Sequence, residues 1–238
     1  MTSSREDALR SLLREHDAST DAASALGALL SLLADPEAPT SVHEPSRALD
    51  VHVADSLAGL QVDELRTAGL IADLGAGAGL PGLVLAAVLP ATQVVLVEAA
   101  RRKCEFLRTA VEAIGLGNTE IVWARAEEWG EGLGRCDVVC ARALGPLPVI
   151  SEYAAPLLRE GGLLVAWKGQ VTETEAADAA AAAAHLGLLA EPVRSVVPFA
   201  GSKRRTLHVL RKVAPTPSQY PRRPGIATKR PLSAKNLR

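Results

Sequence analysis

No uninterrupted apolar run reaches the roughly 18 residues a membrane-spanning helix needs, so no transmembrane segment is expected. The opening MTSSREDALRSLLREHD is charged throughout and does not read as a signal peptide. Cysteines are few and irregularly spaced: Cys104, Cys136 and Cys140. That excludes a disulfide framework and suits reduced thiols in a cytoplasm. The C-x3-C pair has no histidine cluster beside it, so no metal site is expected. Acidic residues also run out. None follows Glu191, so residues 192–238 carry 12 Lys and Arg and no acid, whereas residues 1–191 carry 14 against 27 Asp and Glu. A basic end on an acidic body suits a polyanionic partner, because Lys and Arg gain by neutralising phosphates; a solvated, solubilising tail explains it equally well.

What is present is enough apolar residue, 48% of 238, for a sizeable core in one large domain. Residues 5–35 read as helical, with Leu26, Leu29, Leu30 and Leu33 on one face, and Pro36 and Pro39 end that segment. A second helical stretch covers about 45–60. Apolar runs at 70–74, 93–97, 120–124, 137–141 and 162–167 then alternate with helical stretches near 80–89, 100–114 and 146–158. That alternation implies a parallel sheet with helices on both faces. The alanine-rich 173–187 reads as a surface helix, and 193–199 with 205–211 as a hairpin at the sheet edge. Residues 214–238 hold five prolines and read as a partly extended tail. The expected division is a helical extension over 1–62, an α/β domain over 63–213 and a basic, proline-rich tail over 214–238.

The stretch IADLGAGAGLPG, residues 71–82, sits between a strand and a helix. Glycine tolerates positive φ and lets a ligand approach the backbone. In an open parallel sheet that place is the carboxyl edge, where nucleotide-like ligands bind. Read as Gly77-x-Gly79-x-x-Gly82, the stretch fits a dinucleotide fingerprint. Read as Asp73-x-Gly75-x-Gly77-x-Gly79, it resembles the first motif of class I S-adenosylmethionine methyltransferases. Either cofactor wants an acid at the end of the second strand to hold ribose hydroxyls, and Glu98 after VVLV supplies it. WARAEE at 123–128 places an acid where methyltransferases often meet adenine. A dehydrogenase usually needs a second catalytic domain, for which little chain remains.

Further stretches make the resemblance specific. HVADSL (52–57), DLGAGAGLPG, LVEAARRKCEFLR (96–108), ARAEEW (124–129), ARALGPL (141–147), GGLLVAWKG (161–169) and YPRRPGIATKRPL (220–232) occur in this order. From about residue 40 to its end the chain resembles the RsmG family, also called glucose-inhibited division protein B. The resemblance implies a class I, Rossmann-like methyltransferase fold: a mostly parallel seven-stranded sheet with an antiparallel edge strand, plus N-terminal helices. It implies methylation of guanine N7 in the 530 loop of bacterial 16S rRNA, at guanine 527. The cofactor would be S-adenosylmethionine and the partner 16S rRNA or the 30S subunit, met by a monomer with no obligate protein partner and no membrane. Carried over by motif, Asp73, Gly75, Gly77, Gly79 and Leu80 would serve the methionine and ribose. Glu98 would hold the ribose hydroxyls, and Ala126 and Glu127 would meet the adenine. Arg142 would face the methyl group and target base as the catalytic residue. Lys168, Lys203, Arg204, Arg222, Arg223, Lys229 and Arg230 would meet RNA. The chain departs from the family at ADPEAPTSV (34–42), where relatives carry an aromatic, Asn-rich stretch, and at Arg102-Lys103, where they carry a lysine pair.

The chemistry agrees with what is missing. Guanine N7 has a lone pair and no proton to lose, so its methylation needs alignment rather than a general base. There is no Asn/Asp-Pro-Pro-aromatic tetrad, as used on exocyclic amines, and no Pro-Cys after the fourth strand, as used on pyrimidine C5. Cys140 reads as a buried strand residue. Arg142 would contact guanine O6, a phosphate or the cofactor carboxylate, leaving N7 free. His52 and Ser56, four apart, read as a polar stripe on a helix face, and His208 as structural. Trp123 and Trp167 read as core; Tyr220 is the better stacking candidate. A methyltransferase for another RNA site or a small molecule, or a nicotinamide-dependent oxidoreductase, would share much of this pattern.

Overall fold

The computed structural model describes residues 2–202 and 204–237. The N-terminal region is not one helix but two. Helix α1 (Thr2–Glu15) and α2 (Ala23–Leu33) are joined by a 3-10 turn at Thr20–Ala22, which Ser19 caps by accepting from the Asp21 N–H. The leucine face of α2 (Leu26, Leu29, Leu30 and Leu33) is buried. The second helical stretch begins at α3 (Pro45–Ala48), where Glu44 caps the first turn by accepting from the Ser46 and Arg47 N–H groups. It widens into a π-helical turn at Leu49–Ala54, tightens through α4 (Asp55–Leu57) and a 3-10 turn at Ala58–Gln61, and is followed by α5 (Asp63–Thr67). π turns are rare and cluster at functional sites. This one carries His52.

The strands are β1 (Leu70–Leu74), β2 (Gln93–Glu98), β3 (Thr119–Trp123), β4 (Cys136–Arg142), β5 (Leu158–Lys168), β6 (Leu188–Ala190), β7 (Arg194–Val196) and β8 (Arg205–Lys212). They form one sheet in the order β3-β2-β1-β4-β5-β8-β6, with β7 also paired to β8. The first five are parallel; β8 runs antiparallel to β5, β6 and β7. The expected seven strands become eight because the edge strand is interrupted. β6 and β7 pair with different ends of β8, and Pro192, which has no N–H for a ladder, lies between them. Strand β5 starts at Leu158, earlier than its apolar run, because Gly161 at φ +79 lets the chain kink before the pairing with β4 shifts register.

The continuous apolar runs follow from burial on both faces. Alternate residues of each strand serve opposite cores: Ile71, Val94, Leu96, Val138 and Cys140 face one, and Ala72, Leu74, Val95, Val97 and Val139 the other. The first core is completed by α1, α2, α6 (Gly82–Val88) and α7 (Arg101–Ile114); the second by α8 (Leu147–Ala154), α9 (Glu173–His185) and α10 (Ile226–Lys229). Residues 214–237 are therefore not a free tail. Ala227 and Leu232 are buried in the second core, and the Ala234 N–H donates to Asp178 at 3.0 Å. Among the described residues no helix is long and apolar enough to cross a membrane.

Candidate active site

Strand order reverses between β1 and β4, and two cavities open beyond the carboxyl ends of those strands. This is the crevice in which ligands of open parallel sheets bind. The first cavity, about 370 Å³, is lined by Gly75, Glu98, Lys103, Ala126, Glu127 and Thr228 among others. The second, about 350 Å³, is lined by His52, Asp55, Arg142, Trp167, Lys168 and Arg205 among others. Ala143 lines both. Its φ of +56 is uncommon outside glycine and turns the chain sharply after β4.

The glycine turn works through its backbone. Gly75, Gly77 and Gly79 have φ of +68, +58 and +84, which side chains rarely adopt. At Gly79 a Cβ would also lie 2.2 Å from the Leu83 side chain, so helix α6 could not close on the turn. The turn hangs on β2: the Gly75 N–H donates to the Val97 carbonyl at 2.8 Å, and the Gly77 N–H to Glu98 Oε2 at 3.0 Å. Glu98 Oε1 accepts from the Ala100 N–H at 2.8 Å. One carboxylate thus fixes both the turn and the start of α7 while facing the cavity.

Asp73 does a different job from the one expected of it. It is fully buried behind the turn and is not on the cavity wall. Its Oδ2 accepts from the Gly82 N–H at 2.8 Å, which ties β1 to the start of α6, and its Oδ1 has no partner. Burial pushes its carboxyl up to about 7. Leu80 likewise packs into the core, Gly79 against Leu83, and Gly77 binds Glu98 through its N–H; of the turn, only Gly75 is on the cavity wall. Ala126 and Glu127 do line it, and Glu127 Oε1 accepts from the Gly225 N–H at 2.9 Å.

Arg142 ends β4 in the second cavity. Its Nη1 donates to Asp55 Oδ2 at 3.0 Å and to the Val51 carbonyl at 3.1 Å, and Arg205 approaches the other Asp55 oxygen at 3.5 Å. Burial lowers the Arg142 pKa from its ordinary value, and Asp55 opposes that. His52 and Ser56 are not partners through their side chains. Ser56 donates to the His52 carbonyl, and His52 Nε2 lies 3.1 Å from the Val42 carbonyl. The Thr40 hydroxyl lies 3.0 Å from the same nitrogen, and burial and Arg142 both lower the ring's pKa. Lys168 lines this cavity but is not a free cation: it pairs with Glu175 at 2.9 Å and donates to the Gly145 carbonyl at 3.0 Å, bracing the turn after Arg142.

The expected RNA contacts divide. Arg223, Lys229 and Arg230 are exposed. Arg204 is exposed and hydrogen-bonded to Gln170. Lys203 lies outside the described residues. Arg222 is turned inward: it grips Glu152, 1% exposed, through two bonds of 2.8 and 2.5 Å. Tyr220 packs edge-on against His185, which removes it as a free stacking platform. Trp167 is buried as expected, whereas Trp123 is 56% exposed, its indole N–H held by the Ala99 carbonyl at 3.0 Å. Cys140 is fully buried and its thiol pKa is raised well above normal, as suits an inert strand residue. Sequence reasoning set Asp55 aside with His52 and Ser56 as a polar stripe and missed Arg205, Tyr153 and Thr228 as wall residues. Asp55 and Thr228 lie inside HVADSL and GIATKRPL, so position within those motifs was the available signal.

Residues 25–207 match the family model described as GidB, rRNA small subunit methyltransferase G. The chain is 44% identical over 195 residues to the ribosomal RNA small subunit methyltransferase G of Rubrobacter xylanophilus, covering 79% of this chain and 75% of that one. It is 42% identical over 185 residues to the protein of the same name from Pelotomaculum thermopropionicum, covering 76% and 77%. Among solved structures it resembles the 16S rRNA (adenine(1408)-N(1))-methyltransferase of Catenulisporales acidiphilia at a TM-score of 0.51 and 19% identity, covering 67% of this chain and 93% of that one. A family match over most of the sheet, with the glycine turn, Glu98 and Arg142 inside it, makes this chain a member of the rRNA small subunit methyltransferase G family.

Proposed function

We propose that the chain transfers a methyl group from S-adenosylmethionine to N7 of guanine 527 in the 530 loop of 16S rRNA. It would work as a monomer in the bacterial cytoplasm on the 30S subunit. The observation that carries this reading is the pair of cavities meeting at Ala143, one lined by Gly75 of the glycine turn and Glu98, the other lined by Arg142. The first cavity fits the cofactor. Its volume falls in the roughly 300–1,000 Å³ range of small-molecule sites, and the carboxylates of Glu98 and Glu127 are both on its wall. When bound, the cofactor supplies an electrophilic methyl on a sulfonium.

The chain's own residues bind and align. The side-chain-free turn lets the ligand lie against the backbone. Glu98 accepts from ribose hydroxyls, and Glu127 from the adenine amino group. Arg142 sits across the shared wall and orients the guanine edge through O6, leaving N7 free. Asp55, the carboxylate nearest Arg142, is held between two guanidinium groups and is poorly placed to take a proton. That suits a nucleophile that has none to give. Exposed Arg223, Lys229 and Arg230 meet RNA phosphates.

Arg142→Lys tests the assignment. Lysine keeps a cation beside Asp55 but loses the planar fork. Methyl transfer to unmodified 30S particles should fall by about 100-fold through misalignment, while S-adenosylhomocysteine binding changes less than about threefold. Unchanged transfer would remove Arg142 from the reacting face.

A further inference from the structure

The segment 220–232 lies outside the matched region 25–207, yet its Thr228 lines the first cavity. Three contacts hold it there. Arg222 makes its paired bonds to Glu152 on α8 and donates to the Arg230 carbonyl at 2.9 Å, closing the segment into a loop. The Thr228 hydroxyl lies 3.1 Å from the Tyr153 hydroxyl, and both residues line the cavity. The Gly225 N–H donates to Glu127 Oε1 at 2.9 Å, at a φ of +79 that glycine adopts readily.

The last bond has a chemical consequence. A carboxylate on a cavity wall can point in several directions. The Gly225 N–H binds Glu127 Oε1 and the Tyr153 side chain also interacts with this carboxylate, which orients the group; a carboxylate has acceptor sites beyond these for a ligand donor. The bond is only as fixed as the loop that bears it, and Arg222 fixes the loop by placing its guanidinium against a carboxylate that is 1% exposed. Releasing Arg222 would leave Glu152 buried without a cation, so the loop has one strongly favoured position.

We propose that residues 222–228 act as a strap that positions Glu127 to select adenine over other purines in the methyl donor, with Arg222 as its latch and Gly225 as its contact. The proposal rests on the cofactor reading given above. Adenine offers an amino group to the Glu127 carboxylate; hypoxanthine offers a carbonyl, which a carboxylate repels.

The test is calorimetric binding of S-adenosylhomocysteine and S-inosylhomocysteine to the full chain and to Arg222→Ala and Thr228→Val. The intact protein should prefer the adenosyl compound by tenfold or more. In Arg222→Ala that preference should fall below threefold, mainly through weaker adenosyl binding, with inosyl binding nearly unchanged. Thr228→Val, which keeps the latch but removes a hydroxyl contact, should lose part of the preference and guards against a folding failure in the first variant. A preference retained in both variants overturns the strap. If the intact protein binds neither compound, the donor reading falls, and the strap with it.

Discussion

Asp55→Ala is expected to destabilise the protein by about 3–5 kcal/mol, the range for removing one partner of a buried ion pair. Asp55 is 4% exposed and is the anion between Arg142 and Arg205. Without it, the buried Arg142 guanidinium keeps only the Val51 carbonyl among these partners. The backbone bond from Trp167 Nε1 to the Asp55 carbonyl survives the substitution, so the loss belongs to the carboxylate. The contrast is Glu37→Ala, which breaks the Arg102 pair. Both of those side chains are more than three-quarters exposed, and about 1 kcal/mol or less should be lost. Urea unfolding of both variants measures the difference. Asp55→Ala with Arg142→Met should recover part of the loss, because no lone charge then remains buried. An Asp55 effect no larger than the Glu37 effect would mean that water reaches Arg142 freely.

The second large effect is on pH dependence. Asp73 is held up to about 7 from an ordinary 3.8, chiefly by burial and secondarily by Glu98; the Gly82 N–H and Arg142 pull the other way. A carboxyl raised in the folded state binds its proton more tightly there than when unfolded. Its contribution to stability is therefore greatest below about pH 4, is lost as pH rises towards 7, and is level above that. The full excursion is up to about 4 kcal/mol. Asp73→Asn keeps an acceptor for the Gly82 N–H and cannot ionise. Plotted against pH, its stability relative to the unaltered protein should climb between 4 and 7 and flatten beyond. Unfolding titrations at several pH values read this directly, and parallel curves would show that Asp73 ionises inside the fold at little cost.

Much of the fold was legible because both of its periodicities are simple. Apolar runs such as VVLV mark strands buried on two faces, and the leucine spacing of α2 marks one helix face. The same logic failed at the sheet edge. Pro192 splits a strand whose pairing is decided by β8, a partner distant in sequence. It failed again at the C-terminus, where prolines and charge suggested an extended tail, but buried Ala227 and Leu232 and the Arg222–Glu152 pair fold the segment onto α8 and α9. No local pattern announces such docking, because its partners lie about 70 residues away.

The site was half legible. Glu98 and the glycine turn could be read from position after strands, since the sheet topology aims strand ends at the crevice. The division of labour within the motif could not. Asp73 and Leu80 belong to it and yet point into the protein, because a turn needs interior anchors as well as an open face. Lys168 and Arg222 read as free cations, since a sequence shows charges but not the Glu175 and Glu152 that answer them. Membership of the methyltransferase family also decides between the two readings that the glycine turn alone left open.

The central claim is best tested by methyl transfer. Labelled S-adenosylmethionine would be incubated with 30S particles lacking the modification, and the labelled nucleoside identified and mapped. The account requires label at N7 of guanine 527 and a sharp loss of label with Arg142→Lys. Label at another nucleotide, or at a guanine atom other than N7, would contradict it while leaving the fold and the two cavities as described.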